Sequence, residues 1–191
     1  EGSFSRKLAS EFVDLLRAQD KGHTFNIRDL AHDPIPVLND DTVDAIRTPP
    51  ASLTEEQRSA TALSEELIAE LKAADYVVIG SAMYNWTIAA SLKAWLDQVM
   101  RKGMTFEYAN GGLNGLLDKP ALVVLARGGL YDSPERAAVD MQKPYLKNVL
   151  GVLGLKPEFV AMDGTAIEGE IRDVNLAKAR AQLAEAAAKL A

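Results

Sequence analysis

The chain has 191 residues, 48% of them hydrophobic and 25% charged, enough apolar material to build a sizeable core without staples. It contains no cysteine, which excludes disulfides, thiolate catalysis and zinc–thiolate sites and suits a reducing compartment. A net charge of −6 argues against nucleic-acid binding through a broad basic surface, because phosphate contacts need clustered Lys and Arg. No apolar run reaches the roughly 20 residues of a membrane-spanning helix, and no signal-peptide pattern opens the chain. The expectation is a cytoplasmic protein of one domain, residues 1–191, with neither membrane nor nucleic-acid partners.

In chain order, "SEFVDLLR" (10–17) places Leu8, Phe12, Leu15 and Leu16 on one helical face. "TFNIRDL" (24–30) alternates as a short strand does, and "HDPIPVLNDD" is a proline-punctuated loop. A short helix is expected over 41–46, ended by "TPPAS". Thr54 then reads as an N-cap, with Gln57 at the capping-box position of a helix running to Ala73. "DYVVIGSA" is a short, almost wholly apolar strand, the kind buried on both faces of a parallel sheet. A helix follows over 89–102, and residues 106–119 are expected to be irregular, with "NGGLNG" a turn signal. "PALVVLARGG" and "PEFVAMDG" are two more buried strands, separated by an expected helix over 137–153. An alanine-rich helix, 171–191, closes the chain. Helices alternating with buried strands define the α/β class, and right-handed crossovers place helices on both faces of a central parallel sheet.

In such sheets ligands bind beyond the carboxyl ends of the strands. Four segments lead there: Ser81–Thr87, Ala126–Asp132, Asp163–Thr165 and the N-terminal "EGSFSRKLA". Ser3, Phe4 and Ser5 open a helix; they are either an ordinary N-cap or an anion cradle of hydroxyls and backbone amides. Met83, Tyr84, Asn85 and Trp86 either fill a gap beneath a loop or form a platform for a flat, partly polar heterocycle. Gly128 and Gly129 either turn the chain or admit a ligand close to the backbone. Three loops converging on one edge favour the ligand reading over any one of them alone.

The stretch Met83-Tyr84-Asn85-Trp86 with the following "LKAWLDQVMRKGMTFEY", Arg127-Gly128-Gly129, "RDLAHDPIPVLND" and "LSEELIAELKAADYVVIG" resembles the FMN-dependent NADH-azoreductases, which are also quinone reductases. The resemblance spans nearly the whole chain. It implies a flavodoxin-like three-layer sandwich working as a homodimer, with FMN near the subunit interface. It implies that Ser3, Phe4 and Ser5 cradle the FMN phosphate and that Met83, Tyr84, Asn85 and Trp86 pack against the isoalloxazine. Ala126, Arg127, Gly128 and Gly129 would then lie along the ring's polar edge. Ala126 stands where the family commonly has Ser, which leaves only backbone to serve there. The family also opens with an apolar strand ahead of the phosphate loop. Because the sequence starts at Glu1, the expectation is an N-terminal strand outside these 191 residues.

The activity implied is two-electron transfer from NADH or NADPH through FMN to quinones and azo compounds, in ping-pong order, with no catalytic side chain. The competing reading is a flavodoxin-type carrier of single electrons that does not oxidise NADH. A flavin-free relative on the same fold is a third. Tyr131 and Tyr108 are candidate walls of a substrate pocket, against a packing role for each, and Phe106 reads as core. His23 and His32 read as surface residues, with no metal implied. Asp97, Asp132 and Asp163 read as solvated or capping acids. In "YLKNVLGVLGL" (145–155), Val149, Gly151 and Val152 are candidates for a dimer seam, against a wholly buried helix.

Overall fold

The computed structural model describes residues 2–109 and 111–190. Its elements run α1 (Phe4–Arg17), α2 (Asp40–Arg47), a 3-10 turn (Pro50–Ser52), α3 (Glu55–Ala73), β1 (Val77–Tyr84), β2 (Thr87–Ile88), α4 (Ala90–Val99), β3 (Phe106–Ala109), β4 (Gly112–Gly115), β5 (Lys119–Ala126), α5 (Pro134–Ala137), α6 (Gln142–Val152), β6 (Leu155–Met162) and α7 (Glu170–Ala188). The main sheet has the order β2-β1-β5-β6. β5 lies parallel to β1, with Val77 opposite Ala121, and parallel to β6, with Lys119 opposite Leu155.

Six consecutive residues at the end of β5, Ala121 to Ala126, are buried, because this strand has a neighbour on each side and helices on both faces. The period-two alternation of its side chains divides two cores. Leu122 and Val124 join Leu8, Phe12 and Leu16 of α1, Val160 and Met162 of β6, and Ala179 and Leu183 of α7. Ala121, Val123 and Leu125 join Leu67, Ile68 and Leu71 of α3, Leu92 and Leu96 of α4, and Leu146 and Leu150 of α6. The result is helices, sheet, helices: the three-layer α/β arrangement expected from the alternating pattern.

Local chemistry fixes several boundaries. Thr54 Oγ1 accepts the Gln57 N–H at 3.2 Å and Gln57 Oε1 accepts the Thr54 N–H at 3.1 Å, a complete capping box. At the other end of α3, Lys119 Nζ donates to the carbonyls of Leu71, Lys72 and Ala74, satisfying groups that a helix C-terminus leaves unpaired.

Four expectations are corrected. Residues 24–30 form no strand: among the described residues nothing pairs with them, and alternation without a ladder partner does not make one. Ion pairs hold this segment instead. Arg28 reaches Asp33, Glu66 and Glu70 at 2.7, 2.6 and 2.6 Å, and Asp29 meets Arg6 at 2.9 Å. The Glu70 hydrogen bond, foremost, raises the Arg28 pKa. The backbone N–H of Ala31, with Arg6 and His32, lowers the Asp29 carboxyl to about 2. Residues 106–119 are not irregular throughout, because Phe106–Ala109 and Gly112–Gly115 pair as an antiparallel hairpin. That hairpin packs so closely on the α6–β6 turn that a Cβ on Gly115 would fall 2.1 Å from Gly154 N. The helix expected over 137–153 is two, α5 and α6. Asp140 Oδ1 accepts the N–H groups of Gln142 and Lys143 at 2.8 and 3.1 Å and so starts a new helix. Finally, Val149 belongs to the core, Val152 is half-buried and Gly151 is exposed, so α6 is not a wholly buried helix.

Candidate functional site

The N-terminal segment starts α1 as its serines suggest. Ser3 is the N-cap and its Oγ accepts the Arg6 N–H at 3.4 Å, while Ser3 Oγ and Ser5 Oγ lie 3.3 Å apart. The N–H groups of Phe4 and Ser5 make no hydrogen bond among the described residues, and the first turn carries no acid. Two free amides, two hydroxyls and the positive end of a 14-residue helix suit an anion. The start of α1 is pressed onto β1 at Gly80, where a Cβ would come 3.1 Å from the Ser5 carbonyl oxygen. Glycine is what allows this approach. Three residues further along β1, about 10 Å at strand rise, is Met83.

Met83 and Tyr84 do not lie in a loop. They extend β1 and pair antiparallel with Ile88 and Thr87, leaving Asn85 and Trp86 as a two-residue turn. Both have left-handed backbones, φ 46° and 66°. Two positive φ values are what a tight hairpin of this twist requires, and Asn tolerates them. A tryptophan in that region is a genuine outlier, strained by roughly 1–2 kcal/mol. Its ring gains little burial in return, since Trp86 is 59% exposed and Tyr84 62%. The Asn85 and Trp86 N–H groups also lack acceptors among the described residues. Strain held without compensating packing is the mark of a site rather than of a scaffold.

The β5 exit supplies the third part. The carbonyls of Arg127, Gly128 and Gly129 accept from Thr165, Ala166 and Gly164 at 3.0, 3.3 and 2.9 Å. The N–H groups of Gly128, Gly129 and Leu130 make no hydrogen bond among the described residues, with Gly128 exposed and Gly129 and Leu130 half-buried. These donors stand at an accessible rim, where an acceptor from outside the chain can reach them. Neither glycine has a positive φ, and a Cβ on Gly128 would make only an ordinary 3.5 Å contact with Ala166. Nothing inside the protein therefore requires glycine at either position.

Arg127 is placed behind this row of amides. Its backbone N–H goes to Met162 O, its Nη1 to Asp140 Oδ2 at 2.7 Å, and its Nε and Nη2 to the two Asp163 oxygens at 2.5 and 2.9 Å. The guanidinium is 6% exposed, and its Nε, Nη1 and Nη2 are each engaged by a carboxylate oxygen. Asp163, expected as a solvated or capping acid, is its main partner and also accepts the Tyr131 N–H at 3.2 Å. The Tyr131 ring stacks on Arg127 with the guanidinium carbon 4.8 Å from the ring centre, so Tyr131 borders the loop. Tyr108 sits on the β3–β4 hairpin, 68% exposed, with Lys102 over its ring. Ala126 is buried within the β1–β5–β6 ladder. His23 and His32 are exposed, and the described residues contain no cluster of His, Asp or Glu able to hold a metal. Asp140, Gln142 and Ser81 were not foreseen. The one signal was an acid two residues ahead of Gln142, inside a run otherwise suited to one continuous helix.

A mostly parallel sheet sandwiched by helices, with amides that find no acceptor among the described residues at the carboxyl ends of β1 and β5 and at a helix start beside them, defines a protein of the α/β class. Residues 1–187 match the family described by the flavodoxin-like fold, and the chain belongs to that family. It is 39% identical to an FMN-dependent NADH:quinone oxidoreductase of Azotobacter vinelandii, across 98% of this chain and 94% of the relative. It is 41% identical to a protein of the same description from Dechloromonas aromatica, across 96% and 92%. Among solved structures, an azoreductase from Bacillus anthracis superposes with a TM-score of 0.87 at 28% identity, covering 97% of this chain and 91% of the other. An FMN-dependent NADH-azoreductase of the same organism, in complex with FMN, gives 0.86 at 27% identity, covering 98% and 91%.

Proposed function

We propose that residues 1–191 act as one FMN-dependent oxidoreductase domain that passes two electrons from NADH or NADPH to quinones and azo compounds. The observation that carries this reading is the row of amides at Gly128, Gly129 and Leu130 that find no acceptor among the described residues, beside the engaged carbonyls of Arg127, Gly128 and Gly129. Those donors suit the carbonyl and ring-nitrogen acceptors along one edge of a flavin. The donor set fits FMN: Ser3, Ser5 and the Phe4 and Ser5 amides would hold the phosphate, and Met83, Tyr84, Asn85 and Trp86 would lie against the ring. FMN, when bound, supplies the hydride-accepting and hydride-donating centre, so no acid–base side chain is needed. Sharing one open face between the nicotinamide and the acceptor gives a ping-pong order, the first leaving before the second enters.

The exposed Tyr84, Trp86, Tyr108 and Met141 support a cytoplasmic homodimer in which a second copy covers this rim. No helix among the described residues is long and apolar enough to cross a membrane.

The test is to add one equivalent of FMN to the purified protein and follow flavin absorbance after anaerobic NADH. Rapid bleaching, reversed by a quinone, is the expected result. A protein that holds FMN but is not bleached is a single-electron carrier of flavodoxin type, and one that holds no FMN ends the proposal. Parallel double-reciprocal lines check the ping-pong order, and light scattering after gel filtration checks the dimer.

A further inference from the structure

Three consecutive residues between α5 and α6 each hold a different part of the rim. Asp140 takes the Arg127 guanidinium at 2.7 Å, and through Arg127 it is joined to Asp163 at the exit of β6. Met141 donates its N–H to the Trp86 carbonyl at 3.0 Å, fixing the strained turn. Gln142 Nε2 reaches both the carbonyl and the hydroxyl of Ser81 on β1, each at 3.1 Å. This polar chain is buried: Gln142 is 0%, Ser81 2%, Arg127 5% and Asp140 9% exposed.

We propose that Arg127, Asp140 and Gln142 are positioning residues, which set the separation between the Asn85–Trp86 turn and the Gly128–Leu130 amides without touching the ligand. The proposal rests on the flavin reading above and adds what holds the slot to width. Stability alone does not explain the chain. A buried pair of carboxylates on one guanidinium is a weak stabiliser compared with apolar side chains of the same volume. Gln142 moreover keeps its Oε1 buried with no partner, which costs stability. What these groups supply is direction. Together the bonds tie the start of α6 to β1 and its turn on one side and to the exit of β5 on the other, and β1 and β5, the strands that carry the two proposed ring-contacting segments, are adjacent. A slot held this way has no freedom to widen, and a loss of about 1 Å of fit at such a site is felt strongly.

Three variants separate this role from a structural one. Gln142→Leu removes the orphan carbonyl but leaves the buried Ser81 hydroxyl unpaired, two opposing effects that keep its melting temperature close to that of the wild type. Arg127→Lys keeps a charge but not the two-sided fork. Lys119→Met, which uncaps α3 at the opposite end of β5, is the control for destabilisation alone. Apo protein is titrated with FMN and with phosphate-free riboflavin, following quenching of flavin fluorescence and the near-ultraviolet circular dichroism of the bound ring. Gln142→Leu and Arg127→Lys are expected to bind both ligands about tenfold more weakly, by equal factors, with an altered dichroic spectrum, whereas Lys119→Met binds as the wild type does. Wild-type affinity in Gln142→Leu overturns the proposal. So does a loss confined to FMN, which would place the effect at the phosphate, or a loss in Arg127→Lys no larger than in Lys119→Met. Failure of the wild-type chain to quench either flavin is a separate outcome that removes the flavin reading itself, and this proposal with it.

Discussion

Two regions beside the same sheet are held by different forces. At the carboxyl rim, the exits of β1, β5 and β6 are joined by backbone ladders and by the buried chain from Ser81 through Gln142, Asp140 and Arg127 to Asp163. Residues 24–33 have no ladder and are fixed by Arg28 and Arg6 to Asp33, Glu66, Glu70 and Asp29, several of them well exposed. Water and salt reach the second set far more than the first, so the ion pairs of residues 24–33 are screened while those of the rim are not. A ligand site that must not relax belongs at the first.

The contrast breaks most visibly at Arg127. Arg127→Ala leaves Asp140 and Asp163 without their cation in a buried setting, and the expected loss is about 3–5 kcal/mol in urea unfolding. Next is Gly80→Val. A Cβ alone would sit a tight 3.1 Å from the Ser5 carbonyl oxygen, and the branched methyls of valine would push the start of α1 further away. A loss of about 1–3 kcal/mol is expected, together with weaker binding of FMN and unchanged binding of riboflavin. Trp86→Gly sharpens the comparison in the opposite direction. It relieves a left-handed backbone under an exposed ring, so the apo protein should gain about 0.5–1 kcal/mol while its flavin affinity falls.

The smallest effect is expected at the exposed segment. Arg28→Ala should cost under about 1 kcal/mol, and less still in molar salt. The pH dependence follows from Asp29, whose folded pKa of about 2 lies below its ordinary 3.8. The folded state binds fewer protons there, so the contribution is fully present above about pH 4 and is lost as pH falls through about 2. Hydrogen exchange at pH 2.5 should therefore speed up in residues 24–33 before it does in β5 or β6. Equal acceleration in both would abolish the distinction between the two regions.

The pattern of buried apolar strands was readable because burial on both faces leaves a continuous apolar run, as in "ALVVLA" of β5. The capping box of α3 was readable because Thr54 and Gln57 make it locally. The strand expected over 24–30 failed for the opposite reason: alternation is a local property, and a strand exists only where a partner pairs with it. At the candidate site, the helix start at Ser3 and Ser5 and the chain reversal at Asn85 were legible by residue type. The role of Arg127 was not. Its partners Asp140 and Asp163 lie 13 and 36 residues away and meet it only once β5, β6 and α6 are packed.

By itself the sequence determined the α/β class, the buried strands, the main helix starts and the edge of the sheet where a ligand would bind, because each follows from short-range periodicity, capping chemistry and the rule of strand ends. Only the tertiary structure decided which amides remain free and which side chain stands behind them. It also left a strained tryptophan 59% exposed. Hydrogen-bond satisfaction is a property of the whole packed molecule, and no local pattern records it.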